Sequence, residues 1–576
     1  MSRIARVVVD VTGVDKPFDY LIPDSLSPSV QVGSRVRVPL HRREVPGWVL
    51  RVLQPEESDV GTEKLLPLTK VTSLGPSGEV VSLIEWAAVR WVSRLRPFFV
   101  SASPAVRVPR LVASRRTRTL DDPAPEFDTL LQASGGLVDC APGWSPTPLI
   151  EAAGSHGPVL VVVPTVARAG RLAAALRRSG ISTAVYPDDW VASASGVDVV
   201  VGARSAVWAT VPELGSIIVV DEHDDTLQEE RAPTWHARDV AVERARRLGI
   251  PCVLTSPVAT ITARNWAGER VVAVGSLPRW PRVQVVDRNA DEKWASSLVT
   301  SELIELLRDH SKRVVCVLNV KGRARAVVCA ACRSVARCEV CDAAVTQPDE
   351  HQLSCPRCGA QRPVVCLACG SQKMRAVRIG ISRLRDELEA AAGRLVQEVK
   401  PATPSLDPRA NVFVGTEAVL HRIDRADAVV FLDIDSELLA PRFRSSEQAL
   451  DLIAHGARIV APTRDSPGGL LVLQTTVPNH EVIAGIAAGD LTAHVAAETQ
   501  RRKRLRLPPF GALAEVSGAG TAAMVAHLSA SLLVEVAATE GRALVRAATW
   551  DELSEALVTA PRGKERVRIA VDPARA

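Results

Sequence analysis

A chain of 576 residues exceeds what one hydrophobic core organises, so about three to five domains are expected. With 47% apolar and 23% charged residues it has the balance of a soluble globular protein, which excludes disordered and fibrous classes. A formal charge of +5 gives mild support to a polyanionic partner and none to a strongly basic tail.

The opening, MSRIARVVVDVTGVD, carries Asp10 and too short an apolar run for a signal peptide. The longest apolar-rich window, Ala522 to Ala538, contains His527 and Glu535 and reads as a packed helix, so no membrane span or membrane partner is expected. Residues 1–105 hold RIARVVVDV, VDKPFDYLIP and VGSRVRVPLHRREVPGWVLRVL, short Val-rich runs broken by Pro and Gly, the pattern of a small β domain. Arg35 and Arg37 alternate with Val36 and Val38, which places both guanidinium groups on one sheet face. Helical spacing follows in SLIEWAAVRWVSRL.

Residues 106–136 are rich in Arg, Asp and Pro and read as a linker. In residues 137–295 the continuous apolar runs Val159–Val163, Val199–Val201 and Ile217–Val220 suit parallel strands buried on both faces. Between them ARAGRLAAALRRSG forms a helix stopped at Gly180. A second α/β lobe, 296–480, has Arg313–Leu318, Val412–Val414, Ala428–Leu432 and Leu470–Leu473. Residues 328–372 interrupt it. The last segment, 481–576, opens with the basic helix ETQRRKRLRLPPFG, stopped by Pro508 and Pro509, and reads as a small α+β domain.

The interruption carries four Cys-x-x-Cys pairs: Cys329/Cys332, Cys338/Cys341, Cys355/Cys358 and Cys366/Cys369. Two such knuckles supply four thiolates to one tetrahedral ion, so eight make two closed structural zinc sites without an open position for water. Four disulfides and iron–sulfur ligation are the minority readings. Only Cys140, Cys252 and Cys316 lie elsewhere, which fits a reducing cytoplasm. Spacing alone allows sequential or nested pairing. His351 lies between two pairs and reads as a surface histidine, since eight cysteines suffice.

Further stretches fall in a recognisable order: PFDYLIP, VGSRVRVP, VVGARSAVW, WHARDVAV, LNVKGRA, the eight cysteines, VFVGTEAVL, FLDIDSELLAPRFRSSEQAL, RLRLPPFGA and a terminal VDP. As a set they resemble the PriA family of bacterial replication restart proteins (primosomal protein N-prime) over nearly the whole chain. The resemblance implies two RecA-like helicase-type lobes with a double-zinc insertion in the second. A β-rich domain that holds a nascent DNA 3′ end precedes them, and Phe18, Asp19 and Tyr20 line its pocket. The linker replaces the family's winged-helix module. The resemblance also implies nested zinc sites, Cys329, Cys332, Cys366 and Cys369 outside and Cys338, Cys341, Cys355 and Cys358 inside.

The motor parts depart from the family pattern. The phosphate loop reads Cys140-Ala-Pro-Gly-Trp-Ser-Pro-Thr147, in which only Gly143 and Thr147 fit and Pro146 stands where a Lys should neutralise phosphate. Without a gap the acidic motif keeps Glu222, His223 and Asp224 but puts Val220 at its first Asp, and a deletion keeps Asp221 with Glu222. The arginine motif is reduced to remnants, Arg458 or Arg464. Losing one such electrostatic part costs on the order of 10^3 in rate, so ATP binding is doubtful and a catalytic residue is not assigned beyond the remnants. The expectation is a degenerate member that binds forked and single-stranded DNA in the nucleoid-associated cytoplasm. It would assemble primosome proteins and the replicative helicase loading machinery, with single-stranded-DNA-binding protein a further partner. An active ATP-dependent 3′-5′ helicase and a scaffold without DNA binding are the alternatives.

Overall fold

Alternating apolar residues at the front of the chain build an antiparallel sheet in the order Phe18–Ile22, Arg3–Val9, Arg43–Leu53, Arg35–Leu40 and Lys70–Ser73. Val36 and Val38 are fully buried while Arg35 and Arg37 take the opposite face, as a period of two demands. The computed structural model describes every residue except 1–2, 15, 117–123, 276–279, 291–297, 319–325, 333, 341–342, 350, 356–358, 378–380, 463–467, 540, 562–564 and 576. Cys341, Cys358, Arg464 and most of LNVKGRA lie outside the described residues.

A second sheet runs in the order Val271–Ala273, Gly135–Asp139, Cys252–Ser256, Ser216–Val219, Val159–Val162, Val199–Gly202 and Thr183–Tyr186. Its central pairings are parallel, and the apolar runs are buried on both faces. The helix Val166–Arg178 ends shortly before Gly180, whose φ of +81° suits a residue without Cβ. A third, antiparallel sheet is formed by Glu535–Thr539, Arg542–Ala547, Ala512–Ser517 and Arg568–Val571.

These three sheets were expected as separate domains, 1–105, 137–295 and 481–576. The front sheet keeps a core of its own around Val7, Tyr20, Val36 and Val38, while Val8, Trp48 and Leu50 on its other face join a core shared with the other two sheets, and residues 1–138, 145–272 and 502–574 make one compact unit. Trp208 lies 5.4 Å from Phe98 on one side and 5.4 Å from Trp235 on the other, joining the front helices to the α/β sheet. Gln228 and Thr234 donate to the carbonyls of Asp572 and Val571, each at 2.6 Å, which fastens the C-terminal strand. The segment expected as a bare linker is partly packed. Val108 accepts from Leu74 N–H at 2.8 Å, and Phe127, Leu130 and Leu131 are buried in a short helical stretch.

The other unit comprises residues 139–144, 273–501 and 575–576. Its sheet is all-parallel, in the order Arg282–Asp287, Leu470–Thr475, Ala428–Phe431, Val314–Val317, Val412–Gly415 and Val396–Val399. It begins upstream of the expected boundary at 296. Arg282–Asp287 is an edge strand with Val286 as its one buried residue, so it lacks the apolar run that marks its neighbours. The basic helix Thr492–Leu505 is less open than its sequence implies. Arg501 pairs with Glu498 and Glu481, and Arg502, 1% exposed, donates to the Pro508 carbonyl at 3.3 Å. Among the described residues, no helix is long and apolar enough to cross a membrane.

The front helix Gly78–Arg90 starts on Ser77, whose hydroxyl accepts from Val80 N–H, and carries Glu79 in its first turn. Glu79 forks the guanidinium of Arg244, a residue without solvent exposure, at 3.0 and 2.8 Å, and Arg244 also donates to the Val207 carbonyl at 2.9 Å. Removing the carboxylate strands a buried cation, whereas Glu79 itself reaches water. Glu79→Ala is therefore expected to cost about 3 kcal/mol or more and Arg244→Met clearly less, read as shifts in denaturation midpoint. Equal costs would contradict this asymmetry.

Candidate nucleotide, metal and DNA sites

The strand Ser216–Val219 runs into the turn Asp221–Asp225 at the carboxyl end of a parallel sheet, where such folds place ligands. Asp221 takes a φ of +53°, and its N–H donates to Thr255 Oγ1 at 3.3 Å. Glu222 N–H donates to the Thr255 carbonyl at 3.0 Å, so the turn is stitched to the neighbouring strand. The side chains are then taken up one by one. Asp221 pairs with Arg168 of the helix Val166–Arg178. Glu222, fully buried, accepts from Arg238 Nη1 at 3.1 Å and from the N–H and hydroxyl of Thr260 at 2.8 and 2.9 Å. His223 Nδ1 meets Ser256 Oγ at 2.8 Å, and Asp224 accepts from Thr226 N–H at 2.9 Å.

Burial pushes the Glu222 carboxyl up, with Arg238 and Thr260 pulling the other way. Arg238 also donates to Asp239 at 2.9 Å. Burial opposes ionisation of Asp239 too, but Arg238, His236 and Arg90 outweigh it and hold that carboxyl at about 2. Arg238 thus bridges two carboxylates, one inward and one outward.

The expected phosphate loop follows the strand Gly135–Asp139. Thr147 opens a short helix whose cap position is Pro146, which supplies no side-chain bond. Thr147 N–H and the Ser145 hydroxyl turn toward each other at 3.4 Å, and Ser145 Oγ donates to Thr147 Oγ1 at 3.1 Å. Within the second unit the Pro142 carbonyl accepts from Arg458 Nε at 2.9 Å. A Cβ added to Gly143 would stand 2.7 Å from Ala461 Cβ, so glycine here permits close packing.

The cysteine module is closed by its own ends. Ala326–Cys329 pairs antiparallel with Met374–Val377, Cys329 opposite Met374, which brings the first knuckle against the fourth. Cys329, Cys332, Cys366 and Cys369 accordingly converge, with donor atoms all within 4.8 Å of one another. Sγ separations of 3.5 Å (Cys329 to Cys369) and 3.4 Å (Cys332 to Cys366) are too long for disulfides and near the roughly 3.8 Å of four thiolates on one tetrahedral ion. These four can hold a metal ion. All four knuckles close with the same backbone bond: Cys329, Cys338, Cys355 and Cys366 N–H donate to the carbonyls of Ser334, Ala343, Ala360 and Ser371 at 2.8–2.9 Å. Thr346 and Ser354 exchange backbone bonds at 2.8 Å, which makes the second and third knuckles neighbours.

In the front sheet Phe18 and Tyr20 share one face and Asp19 the other. Tyr20 is 4% exposed, with its hydroxyl donating to the Pro39 carbonyl at 3.1 Å. Phe18 is half-buried, and Lys16 Nζ stands 5.4 Å from its ring. Asp19 is forked by Arg6 at 2.8 and 2.9 Å and accepts from Ser58 at 2.8 Å, and the Arg6 bond holds its carboxyl below the usual range.

Residues 6–104 match the 3′DNA-binding domain (3′BD) of PriA. The replication restart protein PriA of Rickettsia felis is 25% identical over 636 aligned residues, covering 99% of this chain and 94% of that one. The chain is PriA-like over most of its length. A probable replication restart protein PriA of Mycobacterium leprae is 27% identical over 587 residues, 89% of this chain and 87% of that one. In the Bacillus subtilis protein PriA, 29% identity extends over 390 residues, 61% of this chain and about half (48%) of that one. The crystal structure of the E. coli DExH-box NTPase HrpB overlaps at a TM-score of 0.33 and 13% identity, over 61% of this chain and 40% of that one.

The partners of the acid strip were not foreseen in the PriA-like pattern. Arg238 lies inside the quoted WHARDVAV stretch, which could have drawn attention to it, whereas Arg168 and Thr260 carry no signal of their own.

Replacing Cys332 and Cys369 together by Ser should remove one tightly held metal ion per chain and leave any ion held through Cys338 and Cys355, measured by elemental analysis. Asp239 supplies a pH test. Its folded-state value is depressed, so its contribution is full above pH about 4 and is lost as pH falls toward about 2. The stability gap between wild type and Asp239→Asn should shrink across that window in acid denaturation.

Proposed function

We propose that this chain is a replication restart factor that binds abandoned or stalled DNA forks. It promotes primosome assembly and reloading of the replicative helicase in the cytoplasm without ATP-driven unwinding of its own. The observation that carries the second half is the pairing of Asp221 with Arg168 and of Glu222 with Arg238 and Thr260. A helicase of this kind needs those carboxylates for Mg2+ and the attacking water. A cation there would have to displace two arginines. Pro146 in place of the phosphate lysine, and a Pro142 carbonyl already taken by Arg458, point the same way. The residues do not fit nucleotide with Mg2+, so no hydrolytic step is assigned.

Fork recognition is assigned to the front domain. After Arg6 and Ser58, Asp19 Oδ1 retains an acceptor position for a terminal 3′ hydroxyl. Phe18 offers a partly open ring for a sugar or base, and Tyr20 supports that strand from the core rather than stacking itself. The cysteine module is read as a two-zinc docking platform for partner proteins. Cys329, Cys332, Cys366 and Cys369 form one site, and Cys338 and Cys355 with Cys341 and Cys358 the other. Zn2+ supplies a rigid cross-link in both, since four thiolates leave no open position for chemistry.

ATPase and fork binding measured on one preparation test this reading. Forks with a 3′-hydroxyl nascent end should bind more tightly than linear duplex or 3′-phosphate forks, with affinity falling steeply as salt rises. DNA-stimulated ATP turnover should stay at background. Turnover that disappears in Asp221→Ala and Glu222→Gln would overturn the non-unwinding assignment, and equal binding to all DNAs would overturn fork recognition.

A further inference from the structure

A second group of metal-type donors lies in the second unit, on residues remote in sequence from the cysteines. The strand Val412–Gly415 leads into the 3-10 turn Glu417–Val419, and Glu417 and His421 stand one helical turn apart. His455 comes from the helix Ser445–Ile459, one turn beyond Asp451, and is 5% exposed. His421 Nε2 lies 3.5 Å from Glu417 Oε1, and the two imidazole rings meet edge to face at 5.0 Å and 69°. One donor atom from each of Glu417, His421 and His455 falls within 4.8 Å of the other two.

Nitrogen and oxygen donors on a tetrahedral ion at 2.0–2.1 Å stand about 3.4 Å apart. The Glu417–His421 spacing is already there, and with all donors within 4.8 Å of one another, closure of the widest pair needs at most about 1.4 Å of movement. His421 is the exposed member and supplies that movement by side-chain rotation, while His455 is held by its helix. Two imidazoles with one carboxylate suit zinc-class ions and not Mg2+ or Ca2+, which prefer all-oxygen sets. The position, at the carboxyl end of a parallel strand, is where such sheets open a crevice. Asp451 Oδ1 lies 3.7 Å from His455 Nε2, too far for a hydrogen bond but near enough to complete the ligand set on a small shift.

We propose that Glu417, His421 and His455 form a metal site for a divalent transition ion of the zinc class, which pins the turn after Val412–Gly415 to the helix Ser445–Ile459. It neither uses nor depends on the cysteine tetrads or on the fork-binding reading. That helix also carries Arg458, which closes on the Pro142 carbonyl, so occupancy would stiffen the region around the former phosphate loop.

The test uses the full chain, purified with zinc and treated with just enough mild chelator to bring its zinc content, followed by elemental analysis, to a constant value with the fold intact. Calorimetric titration with Zn2+ should then show one further equivalent per chain and raise the thermal midpoint, since an ion bound only by the folded state stabilises it. His421→Ala and Glu417→Gln, at sites not fully buried, should abolish both effects, and His527→Ala should keep them. Failure of the chelator-treated wild type to take up further Zn2+ would overturn the proposal. So would uptake that persists in His421→Ala and Glu417→Gln.

Discussion

Glu222 has no access to water, and a carboxylate in such a place must either bind a proton or face a cation with its remaining lone pairs satisfied. Arg238 and both donors of Thr260 meet that requirement, and Asp239 balances the other side of the same guanidinium. The arrangement fixes more than one side chain. Glu222 sits in the turn after the central strand, Arg238 on the helix Ala237–Leu248 and Thr260 at the cap of the helix Ile261–Ala267. Three elements at the carboxyl end of the sheet are therefore registered by charge and not by apolar packing alone. Shifting any one of them would leave an ion unmatched, at a cost of several kcal/mol.

The same economy governs the neighbouring positions. Asp221 adopts a left-handed backbone conformation and spends its carboxylate on Arg168, and Asp224 spends its own on the turn it begins. In a motor these oxygens would have to remain available to a metal that arrives with nucleotide. Here they are satisfied within the chain. The parallel frame that holds them has its central strands buried on both faces, so the turn is carried by a rigid sheet edge.

Much of that frame is legible in the sequence because it follows from short-range rules. Continuous apolar runs marked the central strands, alternation put Val36 inward and Arg35 outward, and Gly180 closed a helix. What escaped depends on residues far apart in the chain. The Glu79–Arg244 fork and the packing of Trp208 against Phe98 and Trp235 join segments that read as separate domains. The edge strand Arg282–Asp287 was missed because an edge needs little apolar surface. In the front strand the FDY stretch reads as aromatics that can stack beside a carboxylate that can accept, yet pleating alone sends Tyr20 to the core and Asp19 to the opposite face, where Arg6 waits.

The cysteine module shows how a long-range fact becomes legible only through topology. Spacing left sequential and nested pairing equally open. The antiparallel match of Ala326–Cys329 with Met374–Val377 breaks the tie, because a segment whose two ends pair must bring its first and last knuckles together. The Thr346–Ser354 bridge makes the second and third knuckles neighbours. The module closes on itself, its two ends meeting in the pairing of Ala326–Cys329 with Met374–Val377. It can be inserted between the strands Val314–Val317 and Val396–Val399 without disturbing their parallel order. The insertion is also fastened to its host away from its ends, where Ala344 N–H donates to the Leu439 carbonyl at 3.1 Å, so its position is set by more than the two strands through which it enters.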